Sequence, residues 1–136
     1  MRIERVDSPN KQITFKYKNI LKTLYKKGKL PDVKYDISGR ELTVDNATLD
    51  HIIPKSQGGK NHISNYMIAT KEFNQLRGCR PITDFITPQG LERYIEPFLG
   101  VKVDGFDGNL YVKWILQTIE KVRKKLSKKN YKRRGE

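Results

Sequence analysis

One cysteine, Cys79, stands among 136 residues. That scarcity excludes a disulfide framework and leaves a cysteine-built zinc site without ligands. Nothing beside Cys79 marks it as a nucleophile, and a buried thiol is expected. Histidine is almost as rare, with His51 and His62 alone. No apolar run approaches the length of a membrane-spanning helix, and the N-terminus MRIERVDSPN lacks a signal peptide's apolar core. No membrane role and a cytoplasmic setting are therefore expected. Proline is sparse and 36% of residues are hydrophobic, which suits a single domain over 1–136 with a modest core rather than a disordered chain. Acidic side chains are outnumbered 15 to 28, giving a formal charge of +13.

The excess charge lies at the two ends. Residues 1–49 carry 11 basic and 6 acidic side chains, residues 50–100 carry 6 and 5, and residues 101–136 carry 11 and 4. A basic field draws phosphate backbones, but acidic proteins and anionic membranes as well. Nucleic acid is the favoured partner, and a solubilising surface is the competing explanation.

Periodicity predicts an α+β chain. Phe15, Ile20, Leu21, Leu24 and Tyr25 give residues 11–27 a basic amphipathic helix, ended by Gly28 and Pro31. A hairpin-like region follows, turning at Ser38-Gly39, with Leu42 and Val44 alternating along a strand. Strands are also expected over Thr48–Ile53 and Asn65–Ala69, separated by a polar loop through Gly58-Gly59. Thr70 is placed to cap a helix over Lys71–Leu76, which Gly78 and Pro81 stop. Thr87-Pro88 starts another helix, with Leu91, Tyr94, Ile95, Phe98 and Leu99 on one face. Gly105 and Gly108 mark a turn. The longest periodic segment is 109–128, with Leu110, Trp114, Ile115, Ile119, Val122 and Leu126 on one side and lysines on the other. Beyond it, residues 129–136 read as a frayed basic tail.

Chemistry concentrates in ATLDHIIPKSQGGKNHISNYMIATKEFNQLRG, residues 47–78. Phosphodiester hydrolysis needs a base for water and a cation to offset phosphate charge. His51 offers the side-chain type best suited to act as a base near neutral pH, and Asp50 is a hard oxygen donor suited to Mg²⁺. As neighbours on a strand they point to opposite faces, which suits two separate roles.

Asp50, His51, Asn65 and Asn74, with Leu49–Ser56, Gly58-Gly59, Asn61 and Arg77-Gly78 around them, resemble the signature of the HNH endonuclease family in an HNN arrangement. The resemblance covers about a quarter of the chain. It implies a ββα-metal finger over residues 33–79, embedded between helical elements at 11–30 and 88–128. It further implies a metal-dependent DNA endonuclease that nicks or cuts duplex DNA. His51 would be the general base, and Asn65 would shape the loop and orient His51 through a backbone contact. Asp50 and Asn74 would hold one Mg²⁺ or Mn²⁺. His62 lies outside the signature. It is kept as an additional candidate ligand, with a solvent-exposed loop histidine as the default. Lys55, Lys60 and Arg77 are candidate phosphate contacts, as are Lys121, Lys124, Lys125 and Lys128 on the long helix. The family's zinc-binding cysteine pairs are missing around Val33–Leu42, so no structural zinc is expected, and Tyr35, Ile37 and Leu42 are expected to pack there instead. DNA is the implied partner, with a homodimer or a phage or host protein as further partners, in a prokaryotic or phage-infected cell. The competing accounts are a non-catalytic DNA-binding protein and a nuclease-like inhibitor or accessory module retaining the fold.

Overall fold

The computed structural model describes residues 20–135, with side chains through Lys128. Residues 11–19 of the expected N-terminal helix, Phe15 included, lie outside the described residues. Its described part is α1, Ile20–Lys26, which buries Ile20, Leu21 and Leu24. The described elements continue as β1 (Ala47–His51), β2 (Tyr66–Thr70), α2 (Lys71–Arg77), α3 (Pro88–Ile95), β3 (Lys102–Val103), β4 (Phe106–Asp107) and α4 (Gly108–Gly135). This is an α+β strand–strand–helix unit wrapped by helices.

β1 and β2 form a two-stranded antiparallel sheet, pairing Ala47 with Thr70, Asp50 with Met67 and His51 with Tyr66. Every residue of β2 is buried. Two isolated strands are marginal in water and leave an unpaired edge. Here buried tyrosines satisfy that edge. The Ile68 N–H donates to the Tyr94 hydroxyl at 3.0 Å. Tyr94 and Tyr111 are 2.9 Å apart through their hydroxyls, and Tyr111 donates to the Tyr66 carbonyl at 2.7 Å. A carbonyl only accepts, so the single Tyr111 proton is committed to it and Tyr94 donates to Tyr111. Burial pushes both phenols up, keeping them protonated. Phe98 and Phe106 surround the pair, joining α3, the β3–β4 hairpin and α4 in one aromatic cluster.

Thr70 caps α2 as its position predicts, accepting from the Phe73 N–H at 3.1 Å. It is also bound from behind. Asp36 is fully buried. Its Oδ1 accepts from the Ser38 N–H and hydroxyl and from the Arg40 N–H. Its Oδ2 accepts from the Thr70 N–H and hydroxyl. One carboxylate therefore ties the Ser38-Gly39 turn to the start of α2, at the point where the knuckle cysteines are missing. Ile37, Leu42 and Val33 pack below it, whereas Tyr35 stays largely exposed.

Several expectations change. No strand forms over Leu42 and Val44: only a single bridge joins Tyr35 to Glu41, and Val44 is exposed. Asn46 is the reason. Its Oδ1 accepts from the Thr43 N–H, its own N–H donates to Thr43 Oγ1, and its Nδ2 donates to the Glu41 carbonyl. That reciprocal turn competes with strand pairing. Thr87 caps α3, but Pro97 in the following single 3₁₀ turn ends the α-helical face, and Leu99 turns outward. The β3–β4 hairpin was not expected. Its signal was Asp104-Gly105, both at positive φ as a tight hairpin turn requires. Cys79 is exposed, correcting the buried-thiol expectation, because it follows the end of α2. The α4 backbone is helical to Gly135, past the expected fraying point.

Candidate active site

The C-terminal end of β1 carries Asp50 and His51. Asp50 is 9% exposed, and burial raises its pKa against the opposing pull of the nearby Arg77 guanidinium. Arg77, at the last turn of α2, is 1% exposed. Its Nη1 donates to Asp50 Oδ2 at 3.1 Å and to the His51 carbonyl at 2.6 Å. Its Nη2 donates to the Ile52 carbonyl and its Nε to the Arg80 carbonyl. This overturns Arg77 as a phosphate contact, since its guanidinium is enclosed and committed to the site's own frame. The planar fork suits the task, because one group reaches a carboxylate and the successive backbone carbonyls of His51 and Ile52 at once. The sequence signal was a buried carboxylate on β1 that needs a cation within reach.

Asn74 lies three residues before Arg77 on α2, hence on the same helix face. It is half-buried. Among the described residues its side-chain amide makes no hydrogen bond, and Asp50 Oδ1 has no side-chain partner. Asn74 thus offers an unpaired amide on the helix face that carries Arg77, and Asp50 keeps one oxygen free of side-chain partners. Also among the described residues, no group of three or more His, Cys, Asp or Glu side chains converges to hold a metal. A cation here would be held by one carboxylate, one amide oxygen and water, a donor set that fits Mg²⁺ or Mn²⁺.

His51 alternates to the other side of the strand and is half-buried. Its ring meets that of its cross-strand partner Tyr66 edge-on, with centroids 5.2 Å apart. Its Nε2 lies 2.9 Å from Asn61 Oδ1. Asn65, 3% exposed, closes the loop. Its Oδ1 accepts from the Ile53 N–H, and its Nδ2 donates to the carbonyls of Ile53 and Lys60. Its backbone carbonyl takes the Ile52 N–H. Asn65 therefore shapes the loop as expected, but it grips Ile52 and Ile53 rather than His51. Gly59 makes the closure possible: a Cβ there would sit 1.8 Å from the Ile53 carbonyl oxygen.

His62 is not a solvent-exposed loop histidine. It caps the single 3₁₀ turn Ile63–Asn65, with Nδ1 accepting from the Ser64 N–H and 2.8 Å from Ser64 Oγ. Its ring packs on Trp114 of α4. Burial first, and Lys60 second, lower its pKa. Both nitrogen placement and packing assign it to the frame. Lys55, Lys60, Lys121, Lys124, Lys125 and Lys128 are exposed. A groove lined by Asp32, Lys34, Tyr35, Arg93, Glu96 and Pro97 contains none of the candidate groups. Asn61 was missed as a site residue because its ten-residue separation from His51 is bridged only by the folded loop.

Residues 35–74 match the family model described as HNH endonuclease, a span that begins at Tyr35 and ends on Asn74. Comparison with curated proteins and with solved structures gives no match.

Proposed function

From the HNH endonuclease domain at residues 35–74, we propose that this protein hydrolyses DNA phosphodiester bonds with the aid of a divalent cation. One observation carries the reading. A buried carboxylate, Asp50, with one oxygen free of side-chain partners among the described residues, adjoins a histidine on the opposite face of the same strand. That is the division of labour that cation binding and water activation require.

Asp50 and Asn74 hold Mg²⁺ or Mn²⁺ in this reading. When bound there, such a cation would supply Lewis acidity and charge compensation for the phosphodiester. Arg77 keeps Asp50 from rotating by holding its other oxygen. His51 accepts the proton of the attacking water, and Tyr66 limits its ring motion. Asn65 and Gly59 fix the chain just beyond His51. Lys55 and Lys60, on the loop beside the site, engage backbone phosphates, and so do the lysines of α4. Such contacts position DNA without reading its sequence.

The test is nicking or linearisation of supercoiled plasmid with Mg²⁺ or Mn²⁺. The wild type converts the plasmid and His51→Ala does not, while both bind DNA. Equal conversion by the two proteins removes His51 as the base. DNA binding without conversion under either metal supports the non-catalytic alternative.

A further inference from the structure

We infer that Asn61 is a positioning residue that sets the tautomer of His51 and leaves Nδ1 as the nitrogen that receives the proton; this rests on the hydrolytic reading above. Asn61 Oδ1 lies 2.9 Å from His51 Nε2. An amide oxygen only accepts, so a neutral imidazole in this contact carries its proton on Nε2. Among the described residues no group hydrogen-bonds His51 Nδ1, which leaves its lone pair unpaired.

The loop that brings Asn61 there is built for the purpose. Lys60, immediately before it, is held by its carbonyl to Asn65 Nδ2 at 3.1 Å. Gly59 presses against Ile53 so closely that no other residue fits without movement. Asn65 fastens both backbone groups of Ile53. Asn61 itself is exposed and makes no other side-chain hydrogen bond among the described residues. Its only side-chain hydrogen-bond partner there is the histidine. The Tyr66 ring packs edge-on against the same imidazole, with centroids 5.2 Å apart. The two contacts fix a ring that strand geometry alone would leave free to rotate about its side-chain torsions. An outer partner that selects the tautomer of a working histidine is a familiar chemical device.

The experiment is nitrogen-15 NMR of the imidazoles with both rings neutral, alongside steady-state cleavage. His51 signals are assigned by their loss in His51→Ala. Wild-type His51 is expected as the Nε2–H tautomer. Asn61→Leu gives a tautomer mixture and lowers kcat about 10- to 100-fold with little change in KM. Asn61→Asp, which keeps an acceptor oxygen, retains the Nε2–H form. A predominantly Nδ1–H wild type overturns the inference, and so does an Asn61→Leu protein unchanged in both tautomer and kcat. If the tautomer behaves as expected but the wild type cleaves no DNA, the hydrolytic reading falls and the Asn61–His51 assignment stands.

Discussion

Arg77 changes most between the sequence and the folded chain. A basic residue just before a glycine at a helix end suggests an exposed phosphate contact, yet its guanidinium is enclosed by Asp50 and three backbone carbonyls. Removing one member of a buried ion pair costs more than the pair contributes, because the partner stays charged and unsolvated. Arg77→Leu is therefore expected to destabilise the fold by about 3–5 kcal/mol, read from urea unfolding. A loss under about 1 kcal/mol would place the pair with weak surface bridges instead. His62 shows the same shift from chemistry to frame. Its folded pKa lies below the ordinary 6.5, so the unfolded chain takes up the proton first as pH falls. The stabilisation is complete above 6.5 and is lost as pH drops from 6.5 toward the lower folded value. Unfolding on either side of 6.5 should show a smaller pH dependence for His62→Gln than for wild type. Identical slopes would refute the buried-neutral assignment.

At the scale of elements, Asp36 ties the Ser38-Gly39 turn to the start of α2. Its two oxygens gather five donors from the Ser38-Gly39 turn and the cap of α2. A charged acceptor strengthens each bond, and a buried donor without one is costly. Asp36→Ala is expected to cost at least about 3 kcal/mol, by the sum of a few such losses, and to loosen α2 together with Asn74. Hydrogen exchange at the Thr70 and Phe73 amides checks this, and unaltered protection would assign the stability to the apolar packing of Ile37 and Leu42 alone. The elements themselves were largely legible. The cap at Thr70, the two central strands and the long helix follow from local pattern. Alternation at Leu42 and Val44 suggests a strand, but the Asn46 side chain satisfies the backbone locally and no strand forms there. The β3–β4 hairpin was overlooked although Asp104-Gly105 announced it.

At the scale of the whole molecule, α4 is 28 residues long, or about 42 Å at 1.5 Å per residue. Among the described residues its fully buried positions end at Ile119. Lys121, Lys124, Lys125 and Lys128 lie beyond that point and are exposed, so their charge extends past the core. If these lysines contact phosphates, log K against log salt falls by about 0.9 per contact. Replacing all four by alanine should then flatten the slope by roughly 2–4, read by fluorescence anisotropy on duplex DNA. An unchanged slope would take α4 out of the proposed interface and leave Lys55 and Lys60 as the contacts to test.

The sequence alone marked the residues to which the proposed chemistry is assigned. Asp50, His51, Asn65 and Asn74 are recognisable by type and spacing, and the helices and strands around them by period and caps, because these signals are local. The tertiary structure decided which polar groups are spent on one another. Arg77 against Asp50, Asp36 against Thr70, Asn61 against His51 and the tyrosine pair against β2 join residues separated by 10 to 45 positions. Burial makes those pairings obligatory. No local pattern states which buried donor will meet which acceptor, so a basic residue or an asparagine reads alike whether it will face solvent or hold the site in place.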